Sequence, residues 1–465
     1  MMAGGSTWRA GRWATASLGL SALAGCASVP AVSPTVGRPV SAEAPQVVGS
    51  SGPLSAAQVK ALVAQLTTAP GDNVVLRRHL AIEQAVAETP LVDGESTQVL
   101  RDGPTSFRAM FAAIAAARRQ IDLEYYIFED VDSDGAKLGD LLVAKRAQGV
   151  AVNLIYDSFG SDTTPKAFFD RLRAAGVNVV EYNPLDPFKA KAGYSPNDRD
   201  HRKILVVDGK TAIVGGVNIC TDYEVHPPTQ PNAPPPEHWR DTDLKISGPA
   251  AAQLQALFAG HWRKQRGPPL EELTEIAAPA PTGGAVVRII GSSPRHAVPR
   301  YYVTLISAVR SAEKSIIAST AYFVPTNDEL AALTEAARRG VDVELLLPDH
   351  SDSGLSMAVG HSHYAALLKA GVKIYETHGL VLHSKTVTID GVWSVIGSSN
   401  FDHRSVIFND EVDAVVIGGD TAETLEAMFA DDRRAAHAID LATWNRRPLI
   451  ERMKESYARV WQNLL

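Results

Sequence analysis

The sequence predicts an α/β protein made of two duplicated halves, each a mixed β-sheet flanked by helices, packed with pseudo-twofold symmetry around one active site. Strand-like and helix-like segments alternate in the same order twice, which is typical of α/β domains. A set of His, Lys, Asp, Gly and Asn residues also recurs with the same offsets from the His, at +2, +7, +14 and +17. Two such copies indicate a domain duplication rather than a solenoid.

The two halves are expected to span residues 56–276 and 277–465. In the first half, the predicted order is helix 106–120, strand 121–128, helix 134–149, strand 150–157, helix 167–176 and strand 177–182. In the second half, it is helix 302–314, strand 315–323, helix 327–340, strand 341–349, helix 363–371 and strand 372–376. The first half carries 13 extra residues before its His motif, around PLDPFKAKAGYSP, which form either a lid or pocket wall or a surface loop.

The length and composition fit a globular protein with more than one ordinary core. The chain has 465 residues, of which 45% are hydrophobic and 21% charged. Its formal net charge is −7. Because nucleic-acid backbones are bound mainly by Lys and Arg, this acidic balance argues against nucleic acid as a general partner.

Residues 1–26 have the organisation of an export signal. A basic start precedes an apolar run, residues 13–24, that is too short to span a bilayer as a permanent helix. The tetrapeptide LAGC at residues 23–26 resembles the lipobox of bacterial lipoproteins, which implies cleavage before Cys26 and lipidation of its thiol. The alternative is an ordinary secretory signal with a stray cysteine.

The lipobox resemblance implies a location. It implies a protein of the bacterial cell envelope that is anchored by lipid to a membrane surface and faces the periplasm, and Ala27 favours the outer membrane. Residues 27–55 are rich in Pro, Ser, Ala and Val, so we expect a flexible tether there. Once Cys26 is lipidated only Cys220 remains, so no intramolecular disulfide can form.

Each copy of the repeated motif is expected to lie on a β-strand, because β-branched residues follow its Lys. Side chains two residues apart on a strand share a face, so His and Lys lie together there. An imidazole beside an ammonium group is a site for an anion, and Asn218 and Asn400 can donate amide hydrogens to it. If the two halves meet, two His, two Lys and two Asn surround one pocket suited to a phosphate diester.

Such a pocket can perform a double displacement at phosphorus. One neutral His attacks phosphorus to form a phosphohistidine, while the protonated partner donates to the leaving oxygen and then acts as base for the acceptor. The Lys side chains neutralise the charge that develops on the phosphate oxygens. Because two Lys supply the charge that a metal would bring, we expect no metal and no cofactor.

The motif HxKxxxxD, followed by GGxN in the first half and GSxN in the second, resembles the phospholipase D superfamily. The wider sequence is similar to the bacterial cardiolipin synthase branch of that superfamily from residue 90 to residue 465. The segments that match in order are IDLEYYIFEDVDSDG, GVAVNLIYDSFGS, DHRKILVVDG, GGVNICTDY, HWRDTDLKISGP, AYFVP, HSKTVTID and GSSNFDHRSVIFNDE. The chain departs from the branch in its lipoprotein-type start, where some cardiolipin synthases have a pair of membrane helices.

The resemblance implies a role for each matching residue. The catalytic motif residues are His201, Lys203 and Asp208 in the first half and His383, Lys385 and Asp390 in the second. His201 would be the nucleophile and His383 the general acid and base, an order that the sequence alone does not fix. The implied phosphate-binding residues are Lys203, Lys385, Asn218, Asn400 and Ser398, and the acids that would orient the His residues are Asp241 and Glu411. Asp208 and Asp390 are expected to brace the motif turns rather than to contact substrate.

The resemblance implies an enzyme that transfers a phosphatidyl group between phospholipids, as in cardiolipin synthesis. One alternative is a phospholipase D hydrolase that releases phosphatidic acid, and a less favoured one is an exported nuclease or phosphodiesterase. A lipid-binding lipoprotein without catalysis is the remaining alternative. Four aromatic residues at the ends of predicted strands either line a lipid groove or pack in the core: Tyr125, Tyr126, Tyr322 and Phe323. The oligomeric state is left open by the sequence.

Overall fold

The computed structural model describes residues 29–32, 47–49, 52–66, 76, 79–80, 89–186, 188, 194–224, 239–270, 282–294, 296 and 298–465. The predicted signal peptide with Cys26, most of the predicted tether and the predicted boundary at residues 276 and 277 lie outside this part of the chain. Within it, no helix combines the length and the apolar character needed to cross a membrane.

The described residues form an α/β structure, as the sequence predicts. The strands are β1 Val47–Gly49, β2 Gly52–Pro53, β3 Leu91–Leu100, β4 Gln120–Tyr125, β5 Asp132–Ser133, β6 Ala136–Lys137, β7 Ala151–Asp157, β8 Asn178–Tyr182, β9 Arg199–Asp200, β10 Lys203–Val207, β11 Thr211–Gly215, β12 Trp239–Arg240, β13 Asp243–Ser247, β14 Ala285–Ser292, β15 Ser315–Thr320, β16 Asp342–Leu347, β17 Lys373–Glu376, β18 Val381–Leu382, β19 Lys385–Ile389, β20 Trp393–Gly397, β21 Asn409–Ile417 and β22 His437–Ala438. The helices are α1 Ala56–Gln65, α2 Gly103–Ala116, α3 Leu138–Ala147, α4 Lys166–Ala174, α5 Ala251–Lys264, α6 Arg300–Ser311, α7 Asn327–Arg338, α8 Gly354–Ala370, α9 His403–Ile407, α10 Gly419–Ala435, α11 Leu441–Asn445 and α12 Leu449–Ala458.

The two halves contain sheets with the same strand order. Hydrogen-bonded neighbours run β8-β7-β4-β10-β11-β13 in the first half. They run β17-β16-β15-β19-β20-β21 in the second. In each case the first three strands are parallel to one another and the remaining pairings are antiparallel. The repeated motif therefore lies on equivalent strands, β10 and β19, at the change from parallel to antiparallel pairing.

Strand β3 joins the two sheets. Its residues Ser96–Leu100 pair with β13 of the first half, and Val92, Asp93 and Glu95 pair with β14, which continues to β21 of the second half. The two halves consequently share one continuous sheet, which fixes their relative position through backbone hydrogen bonds as well as side-chain packing.

Local sequence accounts for the limits of several helices. Helix α7 begins at a capping box in which the side chains of Thr326 and Glu329 bond each other's backbone N–H. Helix α8 ends at Gly371, whose φ of 101° is left-handed and suits glycine. The parallel strands between the helices are buried on both faces, which explains their continuous apolar runs.

The described residues before β3 pack with the second half, which differs from the predicted domain limits. Strand β1 lies parallel to β3, with Val47 opposite Leu91. Apolar side chains of α1, such as Leu62, share a core with Tyr301 of α6. The prediction has a tether over 27–55 and the first half from 56, whereas the described residues 47–49 and 56–65 contact β3 and the second half. The valines and leucines of this segment cover apolar surface that would otherwise face water, an effect that composition alone does not show.

Candidate active site

Each motif His is held by the backbone of the opposite half. Strand β9 pairs in parallel with the start of β21, and the His201 N–H donates to the carbonyl of Asp410 at 2.9 Å. Strand β12 pairs in the same way with β18, and the His383 N–H donates to the carbonyl of Arg240 at 2.7 Å. These two strand pairings bring both motifs to the junction between the halves.

The His201 ring is oriented by Glu411 of the second half. Its Nδ1 lies 3.1 and 3.0 Å from the two carboxylate oxygens, and Glu411 is fully buried. A carboxylate only accepts hydrogen bonds, so Nδ1 carries the proton and Nε2 keeps its lone pair. Burial lowers the pKa of His201 and outweighs the opposing effect of Glu411. The ring is therefore neutral near pH 7, the state that a nucleophile requires.

The His383 ring is oriented by Asp241 of the first half. Its Nδ1 lies 2.7 Å from Oδ2 of Asp241, which also accepts a hydrogen bond from the Tyr223 hydroxyl at 3.0 Å. The Trp239 ring lies 4.6 Å from the imidazole, measured between centroids. Burial, helped by the charge of Lys385, lowers the pKa of His383 to about 3. An anionic phosphate bound nearby would raise this pKa and favour the protonated acid form.

The two motif lysines are buried beside the histidines. The Lys203 ammonium donates to the carbonyl of His201 at 2.6 Å, and the Lys385 ammonium donates to the carbonyl of His383. Burial lowers the pKa of Lys203 to about 7, and the charge of Lys385 contributes to this shift. Besides burial, the charge of Lys385 also contributes to the lowered pKa of His201, and the charge of Lys203 contributes to the lowered pKa of His383. Each Lys therefore affects the His of the other half, which places all four side chains around one site.

The two motif asparagines lie on equivalent loops after β11 and β20. The side-chain oxygen of Asn218 accepts from the Ile127 N–H at 3.2 Å, which turns its amide hydrogens away from that strand end. Asn400 is 5% exposed, and its side-chain oxygen has no hydrogen-bond partner among the described residues. The side-chain oxygens only accept hydrogen bonds, so the groups that can donate to a phosphate are the amide hydrogens of the two residues.

Ser398, for which the resemblance implies phosphate binding, contacts Glu411 in the structure. Its hydroxyl donates to Glu411 and accepts from the Val412 N–H at 2.9 Å. A hydroxyl has a single proton, and Glu411 takes it, so Ser398 orients the carboxylate behind His201. We therefore assign Ser398 to the positioning of Glu411 and not to phosphate binding.

Asp208 and Asp390 lie at the far ends of the motif strands, away from the histidines. The Asp208 carboxylate accepts backbone N–H bonds from residues 118, 119 and 120. Asp390 accepts them from residues 313, 314 and 315 and lies 3.3 Å from Nε2 of His79. Both have left-handed backbone angles, with φ of 52° and 56°. In the structure they fix the turns that connect the motif hairpins to the preceding helices.

Sequence reasoning missed a second pair of buried acids, Asp243 and Asp413. A Cβ atom at Gly215 would collide with Asp243, and one at Gly397 with Asp413, which explains the glycine at offset +14 in both motifs. Burial raises the pKa of each acid to about 8. Asp243 accepts from the Val217 N–H at 3.1 Å, and Asp413 accepts from the Ser399 hydroxyl at 2.6 Å. The acid-x-acid spacing in WRDTD and NDEVD could have revealed them.

Aromatic side chains surround the histidines, and the sequence analysis identified only some of them. The Tyr126 ring lies 5.2 Å from the His201 ring, and the Tyr322 ring lies 6.0 Å from the His383 ring. Tyr125, in contrast, is fully buried in the core of the first half. Tyr223, which holds Asp241, was not singled out. It lies in the segment GGVNICTDY, five residues after the motif Asn.

One cluster in the described part of the chain combines metal-ligand side chains: Glu124, Asp200 and His261, whose ligand atoms lie within 4.8 Å of one another. The guanidinium of Arg202 already lies 3.1 Å from Glu124, and the His261 ring lies 2.8 Å from the same oxygen. The Arg202 guanidinium offsets the charge of Glu124, so we assign no metal to the cluster.

Two His–Lys motifs on equivalent strands of duplicated sheets, meeting at one junction, define a phospholipase D-type transferase. The chain belongs to the cardiolipin synthase family with a PLD-like domain, which matches residues 110–262 and 305–433.

Named relatives agree with this family. The chain is 35% identical over 412 residues to a cardiolipin synthase of Geobacillus thermodenitrificans (strain NG80-2), covering 87% of this chain and 78% of that one. It is 33% identical over 374 residues to the probable cardiolipin synthase YwiE of Bacillus subtilis (strain 168), covering 79% of this chain and 72% of that one. The crystal structure of a phosphatidylserine synthase of Haemophilus influenzae Rd KW20 superposes with a TM-score of 0.63 at 12% identity, over 84% of this chain and all of that one. At that identity the likeness concerns the fold alone.

Proposed function

We propose that this protein is a phosphatidyltransferase that makes cardiolipin from phospholipids through a covalent phosphohistidine. The observation that carries the proposal is the reciprocal pairing of each motif His with a buried carboxylate of the other half. This pairing gives two imidazoles with defined tautomers at one junction, as a double displacement requires. The named relatives are cardiolipin synthases, which favours a phospholipid substrate.

In the first half-reaction, Nε2 of His201 attacks the phosphorus of a phospholipid. A P–N bond forms, the bond from phosphorus to the headgroup oxygen breaks, and His383 gives its proton to the leaving alcohol. Lys203 and Lys385 offset the charge on the non-bridging oxygens, and the amides of Asn218 and Asn400 hold them.

In the second half-reaction, His383 removes a proton from a hydroxyl of an acceptor such as phosphatidylglycerol. The acceptor oxygen attacks phosphorus, the P–N bond breaks and His201 returns to its neutral form. When phosphatidylglycerol is both donor and acceptor, the products are cardiolipin and glycerol. If water takes the place of the acceptor, the product is phosphatidic acid.

The proposed location is the periplasmic side of the cell envelope, at the outer membrane according to the sorting residue Ala27, with the lipidated Cys26 as anchor. The basis is the LAGC sequence at residues 23–26. Metabolic labelling with a radioactive fatty acid tests it in a bacterial host. We expect label on the wild-type chain and none on the Cys26→Ser variant, and an unlabelled wild-type chain would refute the anchor.

A lipid-product assay tests the proposed function. Labelled phosphatidylglycerol in mixed vesicles, with and without phosphatidylethanolamine, would be incubated with wild type, His201→Ala and the control His437→Ala, which changes an exposed His of β22. We expect cardiolipin from the wild type and the control but not from His201→Ala. Phosphatidic acid as the sole product would make the protein a hydrolase, and the absence of any lipid product would overturn the lipid substrate.

A further inference from the structure

The C-terminal helix α12 and the 3₁₀ turn that follows it present a row of large apolar side chains to solvent. These side chains are between 58% and 76% exposed and comprise Leu449, Ile450, Met453, Tyr457 and Val460. At 100° per residue they fall within an arc of about 100° on the helix surface. We call this set the apolar stripe. Glu455 and Ala458, on the opposite side of the helix, are buried against the body of the protein.

Basic residues flank the apolar stripe on both sides. Residues 446–459 contain five basic and two acidic side chains, a local charge of +3 in a chain whose net charge is −7. Arg452 and Arg459 lie along one border of the stripe and Lys454 along the other, and all three are exposed. An exposed apolar stripe bordered by cations matches the boundary region of an anionic bilayer, where acyl chains lie beneath negatively charged headgroups.

The apolar stripe lies close to the active site. Ala458 and Leu465 pack against Val324, and the side-chain amide of Gln462 donates to the carbonyl of Pro325 at 2.7 Å. The same loop contains Tyr322, whose ring contacts that of His383. Helix α12 therefore rests on the segment that leads directly into the catalytic pocket.

We infer that the apolar stripe is a membrane-docking surface that inserts into the interface of an anionic phospholipid bilayer. Docking there holds the body of the protein at the membrane surface, with the loop at residues 322–325 directly behind helix α12. This surface is separate from the lipid anchor at Cys26. Its use in presenting lipids to the site rests on the proposed function, whereas its binding to a bilayer does not.

The test places an environment-sensitive fluorophore on the apolar stripe of the full chain. Met453→Cys would be labelled in a chain that also carries Cys26→Ser, because Cys220 is fully buried and escapes labelling. The control label is at Lys210→Cys, an exposed residue in the turn at the far end of β10 from His201. Both chains would carry His201→Ala as well, so that lipid turnover does not change the vesicles.

With vesicles of phosphatidylcholine and phosphatidylglycerol, we expect a blue shift at position 453 and quenching by lipids labelled in the upper acyl chain. Phosphatidylcholine vesicles should give a weaker response, and Arg452→Gln with Lys454→Gln should weaken binding to the anionic vesicles by about tenfold or more. The label at position 210 should not respond. No response at 453 would overturn the inference, and a blue shift that grows with protein concentration without vesicles would assign the stripe to self-association instead.

The contribution of the apolar stripe to turnover can be measured separately from the chemical step. In the catalytically intact chain, Met453→Ser with Tyr457→Ser should lower turnover of vesicle lipids at low surface concentration. Turnover of a short-chain, monomeric phosphatidylglycerol should stay at the wild-type rate. Equal loss on both substrates would indicate damage to the fold and refute a docking role. Absence of turnover in the parent chain would count against the proposed function and leave the fluorescence result standing.

Discussion

At the scale of single residues, the site depends on buried charges that are matched across the two halves. Glu411 and Asp241 are separated by 210 and 142 residues from the histidines that they hold. Sequence resemblance identifies these acids, but it does not reveal which His each one contacts, because spacing along the chain carries no information about pairing between halves. The same holds for Ser398, which lies two residues before the motif Asn and yet contacts Glu411.

Replacing Glu411 by Gln should lower kcat by about 10²- to 10⁴-fold with a small change in KM. The amide can no longer act as an anion that fixes the Nδ1–H tautomer and stabilises the cationic ring. Steady-state kinetics on phosphatidylglycerol would measure this, with the exposed Glu423→Gln as matched control. Wild-type kcat in the Glu411 variant would contradict the assigned role.

The lowered pKa of Lys203, about 7 because of burial, predicts a pH dependence. The ammonium form binds the phosphate diester, so kcat/KM, which reports the free enzyme, should fall as pH rises above about 7. Lys203→Arg should move this alkaline limb to higher pH, since a guanidinium keeps its proton, although the absolute rate should drop with the altered geometry. An identical limb in both proteins would show that another group titrates.

At the scale of elements, the motif hairpins are held by their turns. Asp208 accepts three backbone N–H bonds, and its left-handed conformation favours Asp, Asn or Gly. Asp208→Ala should therefore reduce the free energy of unfolding by about 2–3 kcal/mol while the folded fraction keeps its kcat. Urea denaturation combined with kinetics would check this, and Asp208→Asn should lose less stability. A large fall in kcat with unchanged stability would make Asp208 a catalytic group.

The segment before β3 allows a second test at this scale. Leu62 of α1 is 8% exposed and packs with the core of the second half. Leu62→Ala should cost about 2–4 kcal/mol of unfolding free energy. The exposed Lys60→Ala on the same helix is the matched control and should change it little. No difference between the two variants would contradict the packing of this segment on the second half.

The elements that sequence predicts well are those with strong periodicity. The predicted strands 121–128 and 150–157 overlap β4 and β7, and the predicted helices 134–149 and 327–340 overlap α3 and α7, with differences of a few residues at their ends. The packing of residues 47–49 and 52–66 on the second half was not predicted, because the Pro, Ser and Ala content of this segment is also typical of linkers. The few valines and leucines that decide its packing carry no periodic signal over so short a stretch.

At the scale of the whole molecule, duplication explains both the fold and the chemistry. Each half supplies one His–Lys motif and the acid that orients the His of the other, so neither half contains a complete catalytic unit. The strand β3, shared by both sheets, keeps the two sets in register. A double displacement needs two imidazoles with different tasks. The duplicated fold places them at equivalent positions, and the side chains around each one differ.

The central claim, a covalent intermediate on His201 that His383 resolves, can be tested directly with a p-nitrophenyl ester of phosphatidic acid. Its leaving group needs no proton, so His383→Ala should release about one nitrophenolate per chain in a burst and then stop, with the phosphatidyl group on His201. Mass spectrometry after alkaline quenching would locate the adduct, and His201→Ala should give neither burst nor adduct. Continuous turnover by His201→Ala, or no adduct in either variant, would contradict the account.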